Sequence, residues 1–136
     1  MKSPPVVLVF AGHDPSGGAG IQADIETVTA LGGRALTLVT ALTAQDSRNV
    51  QAVWPTAGAA FSVQLDTLLS DISPTAVKIG LIGSADLVDV LAERLTGFAG
   101  PVVVDPVLAA GGGFQLAHDD LLAAIRERLL PHATLI

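Results

Sequence analysis

The sequence predicts an α/β fold, a three-layer αβα sandwich around a mainly parallel sheet, built as a single domain over residues 1–136. Two observations predict it. Short apolar runs rich in Val, Leu and Ile are typical of strands buried on both faces of a parallel sheet. These runs alternate with segments of helical periodicity, and a β-α-β-α-β-α-β-α-β order favours crossovers that place helices on both faces.

Each predicted element follows from one of these patterns. The apolar runs predict strands at Val6–Phe10, Ala35–Ala41, Ala76–Ile79, Val102–Val104 and Ala133–Ile136. Apolar residues at helical spacing form four stripes between them: Ile21, Ile25, Val28 and Leu31; Phe61, Leu65, Leu68 and Ile72; Leu87, Leu91 and Leu95; and Leu121, Ile125 and Leu129. Because Ile136 ends the chain inside an apolar run, we expect the natural polypeptide to continue beyond it.

Composition limits the classes of partner. Half of the 136 residues are apolar and 15% are charged, which indicates a folded domain with a real core. The formal net charge of -6 disfavours nucleic acid or an anionic membrane as partner. The chain has no cysteine, so disulfides and thiolate metal sites are excluded. No run reaches transmembrane length or resembles a signal-peptide core, and we expect a cytoplasmic location.

Polar and glycine residues cluster just after the predicted strands. Ligands of open parallel sheets bind beyond the carboxyl ends of the strands, so these residues are the candidates for a site. They are Gly12, His13 and Asp14; Thr43, Gln45 and Asp46; Gly80 and Leu81; and Asp105, Pro106 and Gly111 to Gly113. The sequence therefore predicts one ligand site along this edge of the sheet.

The glycine-rich segment after the first strand does not fit the common nucleotide motifs. Its glycine spacing approaches that of a P-loop, but Gly18 stands where the phosphate-binding lysine is required. The segment Gly18–Ala23 matches a loose dinucleotide pattern, yet about seven residues separate it from the strand, whereas the first glycine of a dinucleotide site follows directly. This spacing disfavours an NAD-binding oxidoreductase domain.

Three segments, Asp14–Gly20, Ala41–Gln45 and Asp105–Val107, resemble the hydroxymethylpyrimidine and phosphomethylpyrimidine kinases of thiamine biosynthesis, within the ribokinase-like superfamily. The similarity runs collinearly through Ser70–Ile72, Val77–Gly80 and Arg128–Pro131. The resemblance implies a ribokinase-like fold and ATP-dependent phosphorylation of 4-amino-5-hydroxymethyl-2-methylpyrimidine and its monophosphate. It further implies ATP and Mg²⁺ as cofactors, a small-molecule pyrimidine as substrate and a homodimer for the full-length enzyme.

The resemblance also implies a role for six residues of a substrate pocket. Asp24 would accept hydrogen bonds from the hydroxymethyl or amino group, and the Gln45 amide would recognise the edge of the pyrimidine. Gly12 would let the end of the first strand approach the ring. The apolar walls would come from Ala19, Leu81 and Val107.

The residues expected to contact phosphate and metal match the family pattern less completely than those of the substrate pocket. The resemblance implies that Asp105, Gly111 and Gly112 lie in the phosphate and metal region, but Ala109–Gly113 replaces a Lys-Ser-Gly segment that is frequent in the family. Backbone N–H groups would replace that basic contact, or the contact is absent. Family members are longer than this chain, and their catalytic, magnesium-positioning and nucleotide-binding residues fall beyond it. We therefore expect no catalytic residue and no kinase activity in these 136 residues.

Several simpler interpretations stay open from the residues alone. Asp14 before Pro15 is equally typical of a turn or helix start. Lys78, inside a buried strand pattern, is interpreted as a paired structural lysine. The alternatives for function are a pyridoxal or pyridoxamine kinase of the same superfamily and a non-catalytic pyrimidine-binding module.

Overall fold

A computed structural model describes residues 2–136. Its strands are β1 (Val6–His13), β2 (Arg34–Gln45), β3 (Val50–Pro55), β4 (Ala76–Ile79) and β5 (Val102–Val104). They form one sheet in the order β3-β2-β1-β4-β5. β1 pairs in parallel with β2 and β4, and β4 pairs in parallel with β5. Only β3 is antiparallel, and it pairs with β2 at one edge.

Four α-helices connect or follow these strands. They are α1 (Gly20–Ala30), α2 (Gly58–Leu69), α3 (Ala85–Leu95) and α4 (Asp119–Ala124). The chain continues from α4 through one π-helical turn, Ile125–Leu129, and one 3₁₀ turn, Leu130–His132. Within residues 2–136, every helix is too short or too polar to cross a membrane.

The sheet buries its two faces unequally. Successive strand residues point to opposite faces, so Leu8 and Phe10 of β1 join one apolar cluster while Val9 joins another. The first cluster, under α2, α3 and α4, holds twenty buried residues. The second, under α1, holds three: Val9, Ala11 and Ile21. We call these the α2–α4 face and the α1 face.

The predicted α/β fold with a mainly parallel sheet is confirmed, but one strand prediction is wrong and one strand was missed. β3 was not predicted, because its polar Gln51 and terminal Pro55 break an apolar pattern. Ala133–Ile136 forms no strand, since Leu135 makes only an isolated bridge to Val103. The neighbouring strand β5 is three residues long and offers little length for pairing.

The predicted apolar stripe of α1 is buried only at its start. Ile21 is buried, but Ile25 is 39% exposed and Leu31 is 82% exposed. The reason is that α1 packs mainly on β1 and β2, at the sparsely packed face. By contrast, the stripe Leu87, Leu91 and Leu95 of α3 is buried along its whole length, as its spacing predicts.

Candidate functional site

A cavity of about 340 Å³ opens at the carboxyl ends of the parallel strands. The sequence-predicted residues that line it are Gly12, His13, Asp14, Ala19, Asp24, Thr43, Gln45, Gly80, Leu81, Asp105, Val107 and Gly111. Gly112 does not line it. Residues far apart in sequence therefore meet at the edge of the sheet where a ligand site was expected.

Asp14 organises the glycine-rich turn from inside. The residue is 4% exposed. One carboxylate oxygen accepts the backbone N–H of Ser16 at 2.8 Å and the Ser16 hydroxyl at 2.7 Å. The other accepts the N–H of Ala19 at 2.9 Å, directly before α1. The Asp14 carboxylate thus accepts hydrogen bonds from the backbone N–H groups that a bound phosphate would need. The turn is therefore stabilised by Asp14 and is not arranged to bind a phosphate.

Two glycines allow the start of α1 to cross closely over the end of β1. Gly20 has φ +61°, and a Cβ there would lie 2.2 Å from the carbonyl oxygen of Gly12. A Cβ on Gly12 would lie 2.8 Å from Cδ2 of Leu81. The Gly20 position therefore has no room for a side chain, because the clash is with backbone, whereas a Cβ on Gly12 would meet only the movable end of the Leu81 side chain.

Gln45 lies inside β2 rather than after it, which corrects the predicted boundary of this strand. The strand continues because Thr43 and Gln45 pair with Val53 and Val50 of β3. The Thr43 hydroxyl donates to the carbonyl oxygen of His13 at 2.7 Å and lies 3.2 Å from Oε1 of Gln45. Because the shorter contact takes the hydroxyl proton, the Gln45 amide keeps a donor and an acceptor for a ligand.

Asp24 is held by Lys78, a cavity residue whose position in the site was not predicted. The Lys78 Nζ lies 2.9 Å from Oδ1 and 2.8 Å from Oδ2 of Asp24. The lysine side chain is 26% exposed and the aspartate 18%. The interpretation of Lys78 as a paired lysine is consistent with this geometry. The sequence does carry one signal for this position, because Lys78 is a single cation between the buried residues Val77 and Ile79. Successive strand residues point to opposite faces, so Lys78 lies on the face opposite to these two side chains.

Asp105 follows β5 at the cavity edge. Its backbone N–H donates to the carbonyl oxygen of Ile79 at 2.8 Å, and its own carbonyl accepts the N–H of Val107 at 2.8 Å. Residues 2–136 contain no group of three or more His, Cys, Asp or Glu side chains placed to hold a metal ion.

A short hairpin spans residues 108–116 beside the cavity. Ala110 N–H donates to the Phe114 carbonyl at 2.8 Å, and Gly113 N–H donates to the Ala110 carbonyl at 2.8 Å. Gly112 lies at the tip, where a Cβ would come 2.4 Å from the Asn49 side chain. The tip thus touches the turn between β2 and β3, which explains why Gly112 lies outside the cavity lining.

Hydrogen bonds to the Asp46 side chain stabilise the turn between β2 and β3. Oδ1 of Asp46 accepts the backbone N–H groups of Arg48 at 2.8 Å and Asn49 at 2.9 Å. The N–H of Asn49, followed by that of Arg48, lowers the pKa of the Asp46 carboxyl below its usual value. The predicted site residue Asp46 therefore serves the turn and does not line the cavity.

A second cavity, of about 290 Å³, lies between α2, α3 and the sheet. Its walls are mostly apolar, including Leu65 and Leu91, with Arg94 at its edge. Arg94 pairs with Asp66, and this contact lowers the pKa of Asp66 and raises that of Arg94. Among the described residues that line this cavity, Arg94 is the one charged side chain and Ser73 the one hydroxyl, whereas several polar side chains converge at the carboxyl edge.

Comparisons with known proteins agree with this arrangement. The profile of the phosphomethylpyrimidine kinase family matches residues 14–136. A hydroxymethylpyrimidine/phosphomethylpyrimidine kinase from Streptomyces coelicolor is 46% identical over 132 residues, which are 97% of this chain and 49% of that protein. The chain belongs to the phosphomethylpyrimidine kinase family.

Solved structures show the same fold. A crystal structure of phosphomethylpyrimidine kinase from Clostridium difficile has a TM-score of 0.85 and 34% identity, over 96% of this chain and 57% of that one. The pyridoxal kinase from Staphylococcus aureus in complex with pyridoxal has a TM-score of 0.84 and 31% identity, over 98% of this chain and 49% of that one. The chain thus spans about half the length of the curated relatives it matches.

Proposed function

We propose that this chain forms the acceptor-substrate side of an ATP-dependent kinase that phosphorylates 4-amino-5-hydroxymethyl-2-methylpyrimidine and its monophosphate. The observation that carries the proposal is the convergence of Gly12, Asp24 and Gln45 on one cavity. These are the residues to which the family resemblance assigns contacts with the pyrimidine. Family membership supports the reaction class.

The chemistry of the cavity suits a small aromatic ring with polar substituents. Its volume of about 340 Å³ lies within the range of roughly 300–1,000 Å³ typical of ligand pockets. In the proposal, the Gln45 amide forms hydrogen bonds with the edge of the pyrimidine ring. Asp24 accepts a hydrogen bond from the hydroxymethyl or amino group of the ligand. The ring packs between apolar walls formed by Ala19, Leu81 and Val107.

The phosphate-donor side is proposed to lie in polypeptide beyond this chain. Asp14 already accepts hydrogen bonds from the N–H groups of Ser16 and Ala19, so the glycine-rich turn does not offer them to a phosphate, and the chain spans about half the length of the curated relatives it matches. Asp105 and Gly111 are the proposed edge of the phosphate region, with Gly112 outside the lining. ATP, Mg²⁺, a cytoplasmic location and a homodimeric full-length enzyme complete the proposal.

A pyridoxal kinase is the second candidate, favoured by the TM-score of 0.84 to the Staphylococcus aureus enzyme. The two candidates use the same cavity and differ in the ring they accept. The 46% identity to the Streptomyces coelicolor kinase exceeds the 31% identity to the pyridoxal kinase and favours the pyrimidine.

Isothermal titration calorimetry of the 136-residue chain with the pyrimidine, with pyridoxal and with ATP tests the proposal. We expect the pyrimidine to bind more tightly than pyridoxal, and ATP to give no heat. Gln45→Ala should weaken pyrimidine binding by about tenfold or more, the effect of one or two lost hydrogen bonds. Gln51→Ala, at an exposed position of β3, is the matched control and should change nothing.

Two results would overturn this assignment. Equal effects of Gln45→Ala and Gln51→Ala would show that the cavity is not the pyrimidine site. Pyrimidine-dependent formation of ADP by protein of confirmed 136-residue mass would contradict the proposed division between acceptor and donor sides.

A further inference from the structure

The hydroxyl of Thr43 and the side-chain amide of Gln45 lie next to each other at the carboxyl edge of the sheet. Both residues line the cavity of about 340 Å³, and Thr43 is buried. The Thr43 Oγ1 lies 2.7 Å from the carbonyl oxygen of His13 and 3.2 Å from Oε1 of Gln45. Within residues 2–136, Thr43 is the one hydrogen-bond partner of the Gln45 side chain. The orientation of the Gln45 amide therefore depends on Thr43.

The register of the strands explains why these two side chains meet. Thr43 and Gln45 are two residues apart on β2, so they point to the same face of the sheet. β3 pairs antiparallel with this part of β2 and places Val53 opposite Thr43 and Val50 opposite Gln45. Val50 is buried and also lines the cavity. The backbone beneath the two polar side chains is thus fixed by strand pairing, and rotation of the amide itself is the freedom that remains.

The protons available at Thr43 decide which end of the amide belongs beside it. A hydroxyl has one proton and two lone pairs, and the proton lies on the shorter contact, to the carbonyl oxygen of His13. The lone pairs of Oγ1 therefore face Gln45, and an amide oxygen there places two acceptors 3.2 Å apart with no proton between them. A half-turn about the Cγ–Cδ bond of Gln45 brings Nε2 to that place, where its N–H donates to Oγ1.

We infer that Thr43 is a positioning residue: it accepts a hydrogen bond from Nε2 of Gln45 and so fixes one order of donor and acceptor towards the ligand. The second N–H of Nε2 and the oxygen Oε1 then face the cavity side by side. Such an amide pairs with an amino group beside an unprotonated ring nitrogen, as glutamine does with adenine. In the same pose, a carbonyl beside a ring N–H would oppose oxygen to oxygen and N–H to N–H.

This inference rests on the proposed function and adds to it the residue that discriminates aminopyrimidines from oxopyrimidines. The amino edge is common to the hydroxymethylpyrimidine and its monophosphate, so the same discrimination applies to both proposed substrates.

The test compares two probes that differ only at this edge. Calorimetry measures binding to the 136-residue chain of 4-amino-5-hydroxymethyl-2-methylpyrimidine and of its 4-oxo counterpart, in which a carbonyl and a ring N–H replace the amino group and the ring nitrogen. We expect the amino compound to bind at least about tenfold more tightly, because a mismatched pair of polar groups costs about that factor. In Thr43→Val, which loses the hydroxyl and keeps the branched shape, the amide can turn to match either probe. The ratio of the two dissociation constants should then fall close to one.

Further variants separate positioning from stabilisation of the strand. Thr43→Ser keeps the hydroxyl and should keep most of the ratio. Thr56→Val is the matched control, because the Thr56 hydroxyl donates to the carbonyl oxygen of Val39 on the same strand at 2.7 Å and does not line the cavity. This control should lose stability to urea and retain the ratio of the unaltered chain. If Thr43 only stabilises β2, Thr43→Val should weaken binding of both probes equally, and an unchanged ratio would overturn the inference.

The side-chain amide resonances of Gln45, identified by their loss in Gln45→Ala, follow the amide itself. In the ligand-free chain, one of the two Nε2 protons should be shifted downfield by its hydrogen bond to Thr43. The shift should disappear in Thr43→Val and persist in Thr43→Ser. Resonances that are the same in the unaltered chain and in Thr43→Val would overturn the inference.

The failure of this inference and the failure of the proposed function give different results. A ratio near one in the unaltered chain would overturn the positioning role of Thr43 and leave the proposed function standing. Failure of the unaltered chain to bind the amino compound would contradict the proposed function, and the inference would fall with it.

Discussion

On the α2–α4 face, alternate strand residues pack into a cluster of twenty buried apolar side chains, whereas the α1 face holds a cluster of three. Strand β4 shows the difference within four residues. Val77 and Ile79 are 2% and 0% exposed on the first face, and Lys78 on the other face carries a charge. One strand thus contributes apolar packing on one side and a paired lysine that lines the cavity on the other.

This difference between the two faces shows where the fold tolerates charged side chains. A charge placed among the twenty buried residues would lose its hydration with little to replace it. On the α1 face, Lys78 and Asp24 stay partly exposed and compensate each other. We therefore expect substitutions on the α2–α4 face to act on stability, and substitutions at the α1 face and its carboxyl edge to act on binding.

The largest expected effect is the loss of a buried leucine from the α2–α4 face. Leu91 of α3 is fully buried, so Leu91→Ala should reduce the free energy of unfolding by about 2–5 kcal/mol, through lost burial and a new cavity. Urea unfolding followed by circular dichroism measures this change.

Leu31→Ala is the matched control at the other face, because Leu31 is 82% exposed at the end of α1. It should change the free energy of unfolding by about 0.5 kcal/mol or less. Similar losses for both variants would remove the distinction between the two faces.

The next largest effect is expected at the glycine that starts α1. Gly20→Ala combines a positive φ with a Cβ 2.2 Å from the Gly12 carbonyl oxygen. The backbone conformation alone costs roughly 1–2 kcal/mol for a residue with a Cβ, and relieving the clash should displace the cavity floor. We expect both a lower melting temperature and loss of pyrimidine binding.

Gly32→Ala isolates the backbone contribution. Gly32 follows the other end of α1 with φ +82°, and a Cβ at this position would meet no atom within 4 Å. This variant should show the conformational cost and normal binding. Equal behaviour of the two variants would contradict the close crossing of α1 over β1.

The smallest effect concerns the turn between β2 and β3, outside both faces. The pKa of Asp46 is lowered by the backbone N–H groups of Asn49 and Arg48. Its contribution is therefore present above the usual value of 3.8 and is lost as the pH falls through the lower pKa of the folded state. The amide resonances of Arg48 and Asn49 should move in that acidic range. The same titration of Asp46→Asn should show no such step, and a step that survives would assign the titration to another group.

The sequence predicts the parallel strands and the α3 stripe well because their signals are local. Val102–Val104 and Leu87, Leu91 and Leu95 each carry a pattern that needs no distant partner. β3 depends on pairing with β2, and the exposure of Leu31 depends on which elements pack against α1. Both are tertiary properties, so residue patterns alone do not reveal them.

The site was predictable as a location but not as a set of contacts. The position of Asp14, Gln45 and Asp105 near strand ends indicates the edge of the sheet at which the cavity opens. The pairing of Lys78 with Asp24 joins residues 54 positions apart, and no local pattern relates them. The hydrogen bond from the Ala19 N–H to the Asp14 carboxylate likewise depends on how the glycine-rich turn folds.

Hydrogen exchange of backbone amides, with and without 4-amino-5-hydroxymethyl-2-methylpyrimidine, tests whether the ligand binds at the carboxyl edge of the sheet. We expect the ligand to slow exchange in residues 11–24 and 105–116, around the carboxyl-edge cavity. Amides of α2 and α3, beside the 290 Å³ apolar cavity, should exchange as before. Protection confined to α2 and α3, or no protection anywhere, would contradict the assignment of ligand binding to the carboxyl edge of the sheet.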